Sequence, residues 1–319
     1  MTIETVSDAA SNSATIQRVT WIGFIINLLL SVTKFLAGIF GNSQVLIADA
    51  VHSTSDLATD VAVLVGSRYW GQPADDSHPH GHAKLETLIT FIIGAVLGLV
   101  GLELMSNAIQ TLDDMIFHKK AAQIPNGFAL AAAVLSIILK EWLFRITAAA
   151  GKKTHSTATV ANAWHHRSDA LSSIPAALAV GGILIFGEHF AFLDPLGTVV
   201  VGFLILYTAF EIIRPTCGTL LDASGGERLT EEIKSLALSV EGVQSVHKIR
   251  TRPLGNALYG VDLHVMVNPE MVVRQAHHIS HIIQDRLKEQ LPQIVEATVH
   301  IEPGNTKCAS EPAVSEVKK

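Results

Sequence analysis

Ala48-Asp-Ala-Val-His52-Ser-Thr-Ser-Asp56 and Trp164-His-His-Arg-Ser-Asp169 each set a histidine four residues before an aspartate inside a long apolar stretch. In a helix, residues i and i+4 share one face about 6 Å apart. Each bracket therefore presents an imidazole and a carboxylate in one direction, and two such helices meeting face to face form a four-ligand cage from His52, Asp56, His165 and Asp169. An aspartate at the middle of a membrane helix costs roughly 2.5 to 3.5 kcal/mol, so Asp56 and Asp169 together require about 5 to 7 kcal/mol of compensation. A bound divalent cation supplies it, or a proton when the cation is absent. One such residue alone reads equally well as an inter-helix hydrogen bond, but two brackets of identical spacing favour metal.

Composition agrees with a membrane setting. Of the 319 residues 49% are apolar and only 16% charged, with a mean hydropathy of +0.37, which is too apolar for an ordinary soluble enzyme of this length. A formal net charge of -6 with no basic stripe excludes a nucleic-acid partner. The two cysteines, Cys217 and Cys308, are far apart and form no C-x-x-C pair, so a disulfide framework and a thiolate zinc site are both excluded. Metal sites must then use nitrogen and oxygen, and fifteen histidines fit that requirement. The polar segment before the first apolar run gives no sign of a cleavable signal peptide.

Stretches of spanning length run at Trp21–Phe40, Val45–Val65, Leu88–Ile109, Phe128–Phe144, Ala158–Phe186 and Leu193–Ile213. The second and fifth are the most interrupted, and they carry the brackets. Arg18, Arg68, Lys84, Arg145, Lys152, Lys153 and Arg214 fall on one side of this six-span arrangement, with Lys119 and Lys120 dissenting, which places both termini in the cytoplasm. Entered from opposite sides at 1.5 Å per residue, the second span puts its ligands about 12 to 18 Å deep and the fifth about 13 to 20 Å deep. Both pairs arrive near the midplane of a core about 30 Å thick.

Beyond Asp222 the composition turns polar. Glu227–Val240 reads as an amphipathic helix, Ser245–Arg252 and Tyr259–Val267 as strands, Glu270–Gln290 as a second helix and Val295–Ile301 as a third strand. The order αββαβ predicts a small sheet with both helices on one face. The expected divisions are a cytoplasmic tail at residues 1–16, a transmembrane domain at 17–222, a cytoplasmic metal-binding domain at 223–303 and a disordered tail at 304–319.

Other polar groupings extend the metal reading. Asp75, His78 and His82 lie within eight residues of one another in the loop after the second span, enough for a divalent ion, although a solvated His-rich loop looks the same. His247, His264 and His300 fall in three different strands, where pairing can gather them, and Glu302 shares a strand face with His300. His278 and His281 read as exposed helix positions. Lys84 and Asp222 stand at the cytoplasmic ends of spans, and read as ordinary headgroup flanking on pattern alone.

The stretch Ala48 to Asp56, the loop Gln72-Pro-Ala-Asp-Asp-Ser-His-Pro-His-Gly-His82-Ala-Lys84 and the stretch Trp164-His-His-Arg-Ser-Asp169-Ala-Leu-Ser-Ser together resemble the cation diffusion facilitators, in particular their bacterial zinc and iron efflux branch. The resemblance covers about residues 15 to 303. It implies a homodimeric, proton-coupled exporter of divalent metal in a bacterial inner membrane, with six spans and a ferredoxin-like cytoplasmic domain. By the same resemblance the transport site falls on His52, Asp56, His165 and Asp169, and the loop site on Asp75, His78 and His82. A cytoplasmic site falls on His247, His264, His277, His300 and Glu302, and a salt bridge at the dimer seam on Lys84 and Asp222. The chain departs from the pattern in having His52 where several bacterial members have Asp, and Glu302 where Asp is common, with a one-residue shift around Gly255 to Gly260.

Two nitrogens and two oxygens in a tetrahedron suit Zn²⁺. Fe²⁺, Cd²⁺, Co²⁺ and Mn²⁺ remain admissible, since selectivity follows geometry and availability more than raw affinity. The rival classes are an intramembrane metalloenzyme and a metal-sensing membrane scaffold. The first is disfavoured because there is no His-Glu-x-x-His and a catalytic zinc normally keeps an open position. The second has no use for a complete midplane quartet.

Overall fold

The computed structural model describes residues 3–304 apart from 71, 73, 119–123, 155 and 256–257. Lys119, Lys120, Cys308 and the tail after Gly304 lie outside the described residues. Seven helices make up the apolar part: α1 (Ile3–Phe40), α2 (Gln44–Trp70), α3 (Lys84–Phe117), α4 (Gly127–Lys153), α5 (Thr157–Ser172), α6 (Ile174–Phe186) and α7 (Leu193–Leu220). They are followed by α8 (Glu227–Leu238), β1 (Ser245–Gly255), β2 (Leu258–Val267), α9 (Val273–Gln290) and β3 (Ile294–Pro303). The chain divides into two compact units, one of Met1–Val65 with Thr90–Ile213 and the other of Gly66–Ile89 with Arg214–Lys319.

The helical unit exposes large apolar side chains and buries charged ones beside an apolar core of residues such as Val45, Leu46, Val180 and Ile205, unlike a soluble protein. Leu29, Phe40, Leu99 and Ile185 are 60%, 70%, 68% and 76% exposed, whereas Lys34, Asp49, Lys140 and Asp169 are all 4% exposed or less. Such a surface is stable only against lipid. Among the described residues five segments are long and apolar enough to cross a membrane: Thr15–Phe40, Lys84–Phe117, Gly127–Lys153, Asn162–Phe186 and Glu188–Leu220. The remaining expected span is α2, 27 residues long, with Asp49, His52 and Asp56 in its first half.

Local sequence explains the joints. Gly38 lets α2 fold back closely on α1, since a Cβ there would lie 2.6 Å from Ile47 Cγ1 and 3.0 Å from the Ile47 amide. Asn42 makes the turn at φ 52°, a left-handed conformation asparagine tolerates. Asp194, at the start of α7, accepts from Ser43 Oγ at 2.6 Å and from the Gln44 amide at 2.7 Å, so it satisfies one of the free N–H groups opening α2.

The fifth expected span, Ala158–Phe186, is two helices. Pro175 has no N–H to give to the carbonyl four residues back, and the Leu171 carbonyl instead accepts from the Ser173 amide. The break leaves Ser173 between α5 and α6, with Asp169 in the last turn of α5.

In the second unit the expected αββαβ order is present, and the sheet order is β1-β2-β3. β1 and β2 pair antiparallel; β2 and β3 pair parallel, as the crossover through α9 requires. Leu229, Ile233, Val261, Leu263, Val265, Ile279, Ile283 and Leu287 form one core between the two helices and one sheet face. Alternation along β2 then sends Asp262, His264 and Met266 to the opposite face. β1 is longer than expected, reaching Gly255, and its pairing slips between Pro253 and Gly255, at the border of the region where the sequence departs from the family pattern.

Candidate metal centres

In the helical unit, ligand atoms of His52, Asp56 and Asp169 all lie within 4.8 Å of one another. The two brackets therefore meet through Asp169. His52 Nδ1 is buried without a hydrogen-bond partner among the described residues. A buried polar atom left so costs roughly 1 to 3 kcal/mol. The fourth expected ligand, His165, stands at the edge: its Nδ1 is 3.8 Å from Asp169 Oδ1, its side chain is 52% exposed, and it is not in the compact set. Its neighbour His166 is 4% exposed, and neither ring nitrogen has a hydrogen-bond partner among the described residues.

Two buried lysines border this site. Lys34 Nζ from α1 is 2.8 Å from Asp49 Oδ2 and donates to Ser53 Oγ at 3.0 Å and Ser173 Oγ at 2.9 Å. Ser173 Oγ in turn donates to Asp49 Oδ1 at 3.1 Å. Lys140 Nζ from α4 is 3.3 Å from Asp169 Oδ2 and donates to Ser53 Oγ at 3.3 Å. The sequence reading missed Lys34, Asp49, Ser53, Lys140, His166 and Ser173. The signal was there for the charged ones, since each lies within an apolar stretch, as the bracket residues do.

In the loop after α2, ligand atoms of Asp75, His78 and His82 all lie within 4.8 Å of one another. Asp75 Oδ1 accepts from the Ser77 hydroxyl at 2.7 Å, the Ser77 amide at 2.9 Å and the His78 amide at 2.6 Å. Chiefly through the Ser77 hydroxyl and the His78 amide, these bonds hold the Asp75 carboxyl down to about 2. Asp75 is thus a carboxylate at any working pH. His82 Nε2 is 3.5 Å from its second oxygen. The loop abuts the end of β1: at Gly255, φ 107°, a Cβ would lie 2.6 Å from the Ala83 carbonyl oxygen.

Strand register builds the third cluster. His247 pairs with His264 and His264 with His300, giving a row across the sheet, and Glu302 lies opposite Met266. Glu302 accepts from His264 Nδ1 at 2.6 Å and lies 3.1 Å from His247 Nε2. His247, His264 and Glu302 form the compact set. His300 is beside it, with Nε2 3.7 Å from Glu302 and its side chain 62% exposed. The hydrogen bond from His264, with the charges of the neighbouring imidazoles, holds the Glu302 carboxyl below its ordinary range. That shift stabilises the fold above the unfolded carboxyl value and is lost as pH falls through the folded one. His277 is elsewhere, on α9, with Nε2 3.1 Å from His281 Nε2. The structure thus pairs His277 with a residue that the sequence reading set aside as merely exposed.

Lys84 Nζ is 2.9 Å from Asp222 Oδ1 within the chain, with both side chains about half exposed. A pair so exposed contributes on the order of 0 to 1 kcal/mol.

Buried imidazole and carboxylate donors inside a lipid-facing helical bundle define a membrane carrier of cations. Residues 20–221 match the family described as the cation efflux transmembrane domain, and residues 226–304 match the cation efflux protein cytoplasmic domain. The chain belongs to the cation diffusion facilitator family: it is a multi-pass membrane transporter for metal efflux, and not an enzyme. It is 35% identical over 297 residues to metal tolerance protein C1 of Arabidopsis thaliana, matching across 90% of this chain and 62% of that protein. It is 30% identical over 291 residues to the manganese efflux system protein MneP of Bacillus subtilis, across 90% and 96% of the two chains. Magnetosome protein MamM of Paramagnetospirillum magneticum is 29% identical over 93% of this chain and 91% of its own. A solved MamM CTD matches at 30% identity, over 24% of this chain and 96% of that one, with a TM-score of 0.23.

Proposed function

We propose that the chain exports a divalent metal, Zn²⁺ foremost, in exchange for protons, from the cytoplasm across a bacterial inner membrane with both termini inside. His52, Asp56 and Asp169 form the transport site, and His165 completes it when the α5 ring turns inward. The observation that carries this reading is that a His52 ring nitrogen and carboxylate oxygens from two different helices lie within 4.8 Å of one another, on a histidine whose Nδ1 is buried with no hydrogen-bond partner among the described residues. Two imidazoles and two carboxylates match a tetrahedral zinc set. Proton exchange follows because ligands must shed protons to bind metal, and returning protons expel it. The carrier alternates between two states, each side binding with different affinity.

The second reading is Mn²⁺. The compact trio, with one imidazole and two carboxylates, is a harder donor set than the full quartet, and MneP is named for manganese efflux. Fe²⁺, Cd²⁺ and Co²⁺ rank behind these two.

We further propose that the chain works as a homodimer, with Lys84 and Asp222 at the seam and Asp75, His78 and His82 capturing incoming ions. The domain at residues 223–303 regulates transport through His247, His264, His300 and Glu302. Proteoliposomes with an imposed pH gradient test the whole reading. Zn²⁺ uptake is expected in the wild type and none in His52→Ala; equal uptake in both would remove the site, and faster Mn²⁺ uptake would select the second metal.

A separate expectation concerns the sheet cluster. With the transport and loop ligands replaced, Glu302→Gln lowers zinc affinity of the full-length protein by about tenfold or more, as for loss of a group that both binds metal and orients its histidines. Titration with a competing zinc indicator checks it, and an unchanged constant places the cytoplasmic zinc elsewhere.

A further inference from the structure

The two buried ammonium groups differ in how firmly they are held. Lys34 is held by an ion pair to Asp49 at 2.8 Å and by hydrogen bonds to Ser53 and Ser173 at 3.0 and 2.9 Å. It is the more tightly held of the two. The Lys140 contacts are Asp169 Oδ2 and Ser53 Oγ, each at 3.3 Å, and Ser53 Oγ is already shared with Lys34. Lys140 is therefore the looser cation, and it sits on an oxygen of a carboxylate that also belongs to the compact His52, Asp56 and Asp169 set. Its flexible four-carbon stem allows the head group to move while the helix stays in place.

Resting on the transport-site reading above, we propose that Lys140 is a tethered competitor for the cargo: its ammonium occupies Asp169 in the metal-free site and must leave that oxygen when a divalent ion binds. The formal charges favour such a role. Asp49, Asp56 and Asp169 contribute three negative charges and Lys34 and Lys140 two positive ones, so the polar cluster carries -1. Without the Lys140 charge it carries -2, and a dication neutralises it. Lys140 thus holds affinity below what the ligands alone would give. It also returns to Asp169 as the ion departs, so release does not leave a bare buried carboxylate. Lys140 is a specificity and release determinant, acting on the metal through a carboxylate.

The test uses full-length protein in nanodiscs with Asp75, His247 and His264 replaced by alanine, and Zn²⁺ as the probe. Lys140→Met and Lys140→Gln are expected to bind Zn²⁺ at least tenfold more tightly than the parent and, reconstituted into proteoliposomes, to transport it more slowly. Lys140→Arg, which keeps the charge, stays within about threefold of the parent affinity. A structural role alone would weaken binding in all three. Asp169→Asn is the control for the underlying site: retained binding there would overturn the site and this proposal with it. Loss of binding in Asp169→Asn together with no tightening in Lys140→Met or Lys140→Gln would overturn only the competitor role. Should the neutral variants not fold, the parent labelled with ¹⁵N-lysine decides: a lysine ammonium resonance moved by Zn²⁺ in the parent but not in Asp169→Asn supports the proposal, and no such resonance overturns it.

Discussion

Asp169→Asn reduces Zn²⁺ flux by more than about 100-fold, beyond the range set by loss of a supporting group around a metal ligand, and lowers stability in the same protein. Both effects come from one carboxylate with two partners. Toward the transport site, Asp169 contributes an oxygen within 4.8 Å of the His52 and Asp56 ligand atoms, and a neutral amide binds a divalent ion far less well. Toward α4, it faces Lys140 at 3.3 Å, with side-chain exposures of 1% and 5%. Removing one member of a buried pair leaves the other charge unpaired, at a cost of about 3 to 5 kcal/mol. Adding Lys140→Met to Asp169→Asn removes that orphaned charge, so the double variant recovers thermal stability in detergent while flux stays absent. Stability and flux that recover together would mean that Asp169 serves only the fold. Wild-type flux in the single variant would take it out of the ion path.

Most of the architecture was legible because membrane helices and a small amphipathic domain leave strong periodic signals. The brackets located α2 and α5, and the depth estimate brought their ligands to one level. Three kinds of feature escaped. The break at Ser173 was hidden because a proline in an apolar run reads as part of one span, although Pro175 ends the α5 ladder at the Leu171 carbonyl and leaves Ser173 at the joint, where its hydroxyl bonds Lys34 and Asp49. Lys34 and Lys140 escaped because a single cation in a span carries no spacing signal; only the fold shows that α1 and α4 bring both to Ser53. The orientation of His165 escaped because i+4 spacing fixes which face a residue occupies, not its side-chain torsions. His165 therefore remains near Asp169 while half exposed.

The sheet cluster shows the opposite case. No sequence rule gives strand order, yet once β2 lies between β1 and β3 the register alone aligns His247, His264 and His300. Glu302 then reaches His264 and His247 from two residues beyond His300 on the same strand face. His277 was grouped with these histidines from the sequence and given a place among the ligands by resemblance; the helix sets it against His281 through i,i+4 geometry.

Lys34→Met is expected to lower stability by about 3 to 5 kcal/mol, because it leaves Asp49 buried and ionised without its counter-charge. Asp49 is 0% exposed and its remaining side-chain bond is the one donated by Ser173. Asp49→Asn, which leaves the ammonium facing an amide, falls in the same direction with a smaller loss, since Ser53 and Ser173 still accept from Lys34. Replacing both members, Lys34→Met with Asp49→Leu, removes both charges and brings stability back to within roughly 1 kcal/mol of the parent, as buried pairs exchanged for apolar residues commonly do. Chemical denaturation in detergent micelles, run on the three variants and the parent, gives the cycle. A double variant as unstable as Lys34→Met alone would show that the ammonium acts through Ser53 and Ser173 and not through Asp49. Zinc affinity adds the functional half: neither Lys34 nor Asp49 belongs to the compact ligand set, so the repaired double variant keeps parental binding.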